Sequence, residues 1–495
     1  MTTPSWEHFG EQHFGAADLG DRRRTRTLVE LGTRFAEHPG DSLPQKCRDA
    51  NLLRRCYDLM NTPSVTHERV LAAHVRHTLE RIAAQTGVVL LLHDHTELDY
   101  SSHDSLHDQL GQIGNGFGRG YLCHNSLAVV PDDAHTALGL VQQTLHVRAN
   151  VPEHETPTQR RDRESRESLL WVTAVQRIEA AEAAARRQVP PRAATVQVID
   201  VCDRGGDTFE FLDYEDLHDR KYVVRSMHNR RSRVGHDDAD AVVLLHTHLR
   251  SLAEQDRRVI TVHGRDGRPD REATVAIAWA GMELLPPQGR RGHYREAPLK
   301  VWAIRVWEPA APAGVEAVEW FLLTNVPVTN VEEAWEKVDW YTYRWVIEEY
   351  HKAQKTGVAI EAPQFTTAAA LQPMIALLSV VAVSLLQLRA WCRTPAQAER
   401  PAREAVDAEY VEVLSAHRYG KVRDLTVREF VRALARLGGH LNRRGDGEPG
   451  WLVLWRGWGV LQLLVAGARV ARQVDAARAT AQAQTSPAPP QPHSG

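Results

Sequence analysis

Gly87-Val88-Val89-Leu90-Leu91-Leu92-His93-Asp94-His95-Thr96 is the stretch on which the architecture turns. Its apolar run is continuous rather than alternating, as expected of a strand buried on both faces. The run gives way to His93-Asp94, so Asp94 is expected where a central strand reaches the edge of a core. Val196-Gln197-Val198-Ile199-Asp200-Val201-Cys202-Asp203 repeats the pattern, a short β-branched strand that stops at a carboxylate. Asp207 is then expected to cap a helix ending near Leu217, and Tyr222 to Arg225 reads as the next strand. Strand-acid, strand-acid-helix and strand suggest an α/β sheet with acids gathered at one edge.

Around this centre the chain divides by texture. An apolar-periodic helix over Val70 to Ala84 precedes the first strand. Gly111 to Gly120 reads as a loop or turn region, Leu127 to Val130 and Ala137 to Gln143 as antiparallel strands, and Ser165 to Ala185 as a helix. From 226 to 318 the pattern is mostly β, with strands at Val259 to Val262, Ala273 to Ala280, Lys300 to Val306 and Val318 to Leu323 and no strong helix after Leu252. Its loops carry Arg230, Arg231 and Arg233, then Arg290, Arg291 and Arg295. Thr329 to Glu332 fits a capping box. Residues 363 to 475 read as helical, including an apolar helix over 374 to 390 and a Trp-rich segment from Trp451 to Trp458. The stretch from Ala476 to Gly495 is low in complexity and expected to be disordered.

Residues 1 to 70 are helical and locally basic. Asp21 is placed to cap a helix whose start, Arg22-Arg23-Arg24-Thr25-Arg26, could meet phosphates or form a solvated face. A second helix is expected to hold Lys46, Arg48, Arg54, Arg55 and Tyr57 and to end near Asn61.

At 495 residues the chain has room for several domains, and 43% hydrophobic with 25% charged residues is ordinary for a globular protein. The formal charge of −3 argues against nonspecific coating of nucleic acid, though it hides basic clusters. The five cysteines are scattered without a C-x-x-C pair, which fits reduced thiols in a cytosolic setting. The N-terminus lacks a signal-peptide plan. Met374 to Leu386 is short of the roughly 20 apolar residues a membrane span needs, so a buried core helix is expected and no membrane partner.

The chemistry centres on Tyr341-Thr342-Tyr343-Arg344-Trp345-Val346-Ile347-Glu348-Glu349-Tyr350-His351-Lys352-Ala353-Gln354-Lys355-Thr356-Gly357. As one helix at about 100° per residue, Tyr341, Arg344, Glu348 and Lys355 share a stripe roughly 60° wide. Val346, Tyr350 and Ala353 point the other way. A salt-bridged surface helix fits this pattern too. Two carboxylates at strand ends and a third on a helix supply the hard oxygen ligands for two divalent cations, Mg²⁺ or Mn²⁺, suited to phosphodiester chemistry. Asp94 and Asp203 also suit turn-forming strand ends. Glu348 lies about −20° from Tyr341 around the helix and Glu349 about 80°, so geometry prefers Asp94, Asp203 and Glu348 over Glu97, Asp99, Asp200 and Glu349. His93, His95 and His351 lack zinc-site spacing and read as core or exposed histidines.

The pattern Y-x-x-R-x-x-x-E-x-x-x-x-x-x-K, filled by Tyr341, Arg344, Glu348 and Lys355, resembles that of the bacterial cut-and-paste DDE transposases of the insertion-sequence-four (Tn-five-like) family. Asp94-x-Thr96-x-Leu98-x-Tyr100, Val201-Cys202-Asp203-Arg204, Leu19-Gly20-Asp21, Ala435 to Gly439 and Leu454-Trp455-x-Gly457-Trp458 resemble the same family, so the likeness covers nearly the whole chain. It implies an RNase H-like catalytic core interrupted by a mostly β insertion and flanked by helical N-terminal and C-terminal domains. The corresponding division is a DNA-end-binding domain at 1–70, the core at 71–225 and 319–392, the insertion at 226–318, a dimerisation domain at 393–475 and the tail at 476–495. It further implies that Asp94, Asp203 and Glu348 bind two metal ions per active site, and that Tyr341, Arg344 and Lys355 hold phosphates, with Arg225, Arg23 and Arg24 as further DNA contacts. Trp320 matches a tryptophan that stacks on a flipped base. The implied partners are double-stranded DNA, as element ends and as target, and a second copy of the chain when DNA is bound. The implied setting is the bacterial cytoplasm, at the nucleoid. Gly205-Gly206 departs from the bulkier residue of the Tn-five branch, and the N-terminal arginines do not align one for one, which leaves the end sequence open. Two other readings use the same residues: an RNase H-like nuclease without strand transfer, and a catalytically silent DNA-binding derivative.

Overall fold

The computed structural model describes residues 6–485 except 39, 41, 115, 150–153, 155, 157–158, 160–162, 164, 192, 194, 236–240, 263–270, 289–294, 391–397, 444–445 and 447–448. Arg290, Arg291, Cys392 and residues 486–495 therefore lie outside the described residues. Contacts divide the chain into two compact units, residues 9–383 and residues 1–8 with 384–495. The result is a mixed α/β protein with a central sheet and helical regions toward both ends.

The N-terminal helices are α1 (Trp6–Phe14), α2 (Arg22–Glu37), α3 (Leu43–Cys47), α4 (Ala50–Met60) and α5 (His67–Ala83). Asp21 caps α2 as its sequence position predicts, its carboxylate accepting the Arg23 amide. The single helix expected across Lys46 to Tyr57 is instead two. Arg48 adopts a left-handed φ of 55°, and Asp49 restarts the helix by accepting from the Asn51 and Leu52 amides. A carboxylate able to satisfy two orphan N–H groups wins over continued helix.

Twelve strands among the described residues form one sheet: β1 (Gly87–Asp99), β2 (Gly111–Ile113), β3 (Gly118–Val129), β4 (Ala137–His146), β5 (Val196–Cys202), β6 (Lys221–Arg225), β7 (Arg231–Val234), β8 (Val242–Leu244), β9 (Asp256–Val262), β10 (Arg271–Leu284), β11 (Leu299–Trp307) and β12 (Glu319–Thr324). Their order is β2-β3-β1-β5-β6-β12-β11-β10-β7-β8, with β4 also on β3 and β9 on β10. Three corrections follow. The glycine-rich region is partly strand, β2 and the start of β3. The 226–318 segment is β-rich as expected, but its strands extend the same sheet, because β12 pairs antiparallel with β6, Leu322 opposite Arg225. And β1 does not stop at Asp94. Its parallel pairing with β5 ends at His93 opposite Cys202, while its antiparallel pairing with β3 continues from Asp94–Asn125 to Asp99–Gly120. Asp94 thus marks the point where one neighbour of the central strand turns away.

Helices α6 (Leu170–Ala185), α7 (Phe209–Leu217) and α8 (Leu245–Ser251) accompany the sheet. Thr208, not Asp207, caps α7. Asp207 is a buried anchor whose Oδ2 accepts from the Met227 amide at 2.6 Å and the His228 amide at 2.9 Å, with the Arg230 guanidinium on Oδ1 at 2.5 Å. After β12, Asn330 caps α9 (Val331–Thr342) by accepting the Glu333 amide, one residue later than the expected box. Then come α10 (Trp345–Lys352), a π-turn at Ala353–Gly357 and the apolar α11 (Ala368–Ala390). By length and composition α11 could cross a membrane, yet 89% of its apolar window is buried inside the protein, as the core reading expects.

In the other unit, α12 (Ala408–Tyr419), α13 (Val427–Leu437) and α14 (Trp451–Thr485) pack together. Helix α14 continues past Ala476 to Thr485, since the alanine-rich stretch favours helix over coil. The end of α13 and the first turns of α14 meet backbone to backbone. A Cβ on Gly438 would stand 1.8 Å from the Val453 carbonyl oxygen, and one on Gly457 would stand 1.9 Å from that of Leu434. Gly457→Ala is therefore expected to destabilise this unit by about 1–3 kcal/mol, read as a lower unfolding temperature by calorimetry, whereas Gly459→Ala, where a Cβ meets open space, leaves it near wild type.

Candidate active site

The stretch 341–357 is not one helix. At Tyr343 and Arg344 the hydrogen bonds tighten to i→i−3, with the Tyr343, Arg344, Val346 and Ile347 amides donating to Trp340, Tyr341, Tyr343 and Arg344. This tight turn separates α9 from α10, and the Tyr343 hydroxyl fastens it by donating to the Asp132 carbonyl at 3.1 Å. Tyr341 therefore ends α9, Arg344 opens α10, Glu348 lies in its first turn and Lys355 sits on the π-turn. The buried back survives the break: Val346, Tyr350 and Ala353 are all core residues. Lys46 and Tyr100 hold the segment that follows, Lys46 Nζ donating to the Val358 carbonyl at 3.3 Å and the Tyr100 hydroxyl to that of Ile360 at 3.0 Å.

Arg344 joins the front of this element to the sheet. It donates from Nη1 to Asp94 Oδ2 at 3.3 Å and from Nη2 to Glu348 Oε1 at 2.5 Å. Asp94 Oδ1 accepts the His95 amide at 2.8 Å. Burial pushes the Asp94 carboxyl up to about 7, and the Asp203 and Glu348 charges add to the rise against the pull of Arg344. The charges of Asp203, just past the end of β5, and of Glu348, in the first turn of α10, thus both reach Asp94 on β1. Arg344 is held more firmly protonated than usual, because Tyr341, Glu348 and Asp94 outweigh its burial. Among the described residues no three acidic, histidine or cysteine side chains close into a ready-made metal-ligand set. The Arg344 guanidinium stands between two of the carboxylates.

Asp203 leaves β5 into a tight turn, its Oδ1 accepting the Gly205 amide at 2.8 Å. Glycine at 205 has a visible reason. A Cβ there would meet the Trp171 ring at 2.6 Å, so the indole of α6 fills the space a bulkier residue would occupy. Trp171 was not singled out from sequence; its only signal was a large aromatic on an otherwise alanine-rich helix.

The rejected acids have other employment. Asp200 is buried against Arg220 and His93. Glu97 pairs with Arg148, and Asp99 accepts from Ser101. Trp320, on β12, lies edge-on to Tyr341 with ring centroids 5.9 Å apart. Arg225 ends β6, half-buried, and Lys355 Nζ is 4.0 Å from Glu361 Oε1. Arg23 is exposed beside Asp21, but Arg24 is engaged internally, its Nη1 donating to the Leu19 carbonyl and to Ser64 Oγ. Of the basic loops, Arg230 and Arg295 are likewise paired, with Asp207 and with Asp213 and Asp216.

The raised Asp94 carboxyl has a consequence for metal-free protein. A carboxyl whose folded value lies above its unfolded value contributes stability below about pH 4, and that contribution is lost as pH rises through about 7. Asp94→Asn is expected to melt higher than wild type at pH 8, by an amount on the order of a few kcal/mol, with the gap closing near pH 4. Thermal denaturation in EDTA checks this.

Residues 7–65 match the family model described as Transposase DNA-binding. Residues 412–477 match the one described as Transposase Tn5 dimerisation domain. A DNA-binding segment thus precedes the acidic site in the chain and a dimerisation segment follows it, and the two matches together support an IS4/Tn5-like transposase.

Proposed function

We propose that this transposase is a DDE enzyme that cleaves the ends of its element and joins the freed 3′-hydroxyls to target DNA. The observation that supports the reading is Asp94, buried on the central strand, repelled by the charges of Asp203 and Glu348 and joined to Glu348 through Arg344. The strand order β4-β3-β1-β5-β6, antiparallel across the first three and parallel across the last three, supports an RNase H-like core. Strands β7 to β11 then form an insertion between its β6 and β12.

The residues fit divalent cations: their donors are hard oxygens, and a carboxyl raised first by burial and then by two neighbouring negative charges is one that a cation would relieve. Asp94, Asp203 and Glu348 would hold Mg²⁺ or Mn²⁺, two ions per site, which stabilise the attacking and leaving oxygens of an in-line displacement. Arg344, released from the acids, turns its five donors to a DNA phosphate, a geometry that guanidinium suits. Lys355 adds a second phosphate contact from the π-turn, and Tyr341 backs Arg344 while its ring steadies Trp320 for stacking on a displaced base. The exposed Val460, Leu463, Val470 and Val474 on α14 recur at spacings of three, seven and four, a heptad-like stripe within the matched dimerisation segment that suits self-association.

Duplexes taken from the DNA flanking the reading frame are expected to be nicked by the purified protein with Mg²⁺ or Mn²⁺ and left intact in EDTA, on a denaturing gel. Nicking that persists in EDTA would falsify the metal-dependent reading.

A further inference from the structure

A second set of charged side chains lies under the acids, on the other face of the sheet. His93 and Cys202 are partners in the parallel ladder of β1 and β5, and Asp200 lies two residues before Cys202. Side chains alternate along a strand, so His93 and Asp200 share one face while Asp94 projects from the opposite one. His93 Nε2 is 2.7 Å from Asp200 Oδ1, and both residues are buried. Arg220 grips the same carboxylate through two nitrogens, Nη2 at 2.7 Å from Oδ2 and Nε at 3.2 Å. On the far side of the ring, His93 Nδ1 is 2.9 Å from Ser126 Oγ, which is 3.1 Å from Gln142 Oε1.

The chain of contacts therefore crosses four neighbouring strands and the start of a fifth: β4 through Gln142, β3 through Ser126, β1 through His93, β5 through Asp200, and Arg220 just before β6. It sits one residue before Asp94 and three before Asp203. Buried polar networks of this kind stabilise little in net terms, because desolvation offsets the attraction, but they select one geometry. Apolar side chains filling the same volume would let β1 slide against β5 at lower cost. A slide of an ångström there changes the spacing of Asp94 and Asp203 directly, since the parallel pairing ends at His93–Cys202, one residue short of both acids.

We infer that His93 and Asp200 are positioning residues, which fix the register of β1 on β5 and with it the separation of the two aspartates that hold metal. This rests on the active-site reading above. Neither residue touches DNA or metal; each acts through the strand it belongs to.

The test uses the full-length protein. Mn²⁺ affinity is read from the electron paramagnetic resonance signal of free Mn²⁺ without DNA, alongside binding of flanking-DNA duplexes and cleavage rate. His93→Leu, near in volume but unable to bond Asp200, is expected to weaken Mn²⁺ binding about 10-fold and to slow cleavage on the order of 100-fold. Duplex binding should be unchanged. His93→Gln, whose amide can reach Asp200, should recover most of both losses. Asp200→Asn, which keeps the hydrogen-bonding shape, covers the case in which His93→Leu does not fold, and is expected to weaken Mn²⁺ binding in the same direction. Wild-type Mn²⁺ affinity in the folded variants, whatever their melting temperatures, overturns the positioning role alone. No Mn²⁺ binding by the wild type overturns the active-site reading itself.

Discussion

Asp94→Ala is expected to abolish Mg²⁺-dependent nicking of end DNA, a loss of at least about 10³-fold if the ligand supplies several kcal/mol of transition-state stabilisation. Binding of the same duplex should persist, measured by gel shift beside the nicking assay. The separation is structural. Asp94 sits on the central strand, while the segment matched as transposase DNA-binding spans residues 7–65. Removing the carboxylate also relieves a crowded buried charge, so lost activity is not lost folding. Wild-type nicking by this variant would remove Asp94 from the mechanism.

The second large effect separates two adjacent glutamates. Glu348→Gln should reduce cleavage by a factor similar to Asp94→Ala, because Glu348 shares Arg344 with Asp94. Glu349→Gln should stay within a few fold of wild type. Single-turnover cleavage of the two proteins on one duplex decides the matter. Equal losses would mean that the helix is sensitive as a whole and that Glu348 has no special place.

Much of this site could be read from the chain. Two apolar runs ending in acids led to Asp94 and Asp203, and Val346, Tyr350 and Ala353, set on the back of the helix, are core residues. What escaped was non-local or energetically close. The extension of β1 to Asp99 depends on β3 pairing beyond the end of β5, which no window along β1 contains. The return of β12 to β6 joins residues about a hundred positions apart. The turn at Tyr343–Arg344 keeps ordinary right-handed angles, so residue preference does not announce it. Asp207 and Thr208 are both good caps, and the choice between them went to Thr208 because the buried amides of Met227 and His228 claimed the aspartate. The hold of Arg24 Nη1 on Ser64, forty positions away, was likewise out of reach of any local window.

The central claim is that these converging acids serve a transposase rather than a plain nuclease or a silent binder. Its most direct test offers the wild-type protein a pre-cut duplex from the flanking DNA, ending in a 3′-hydroxyl, together with a second duplex and Mg²⁺. The account predicts a joined product in which that end is covalently linked to the second duplex, absent with Asp94→Ala. Nicking without joining, or binding without either reaction, would contradict it.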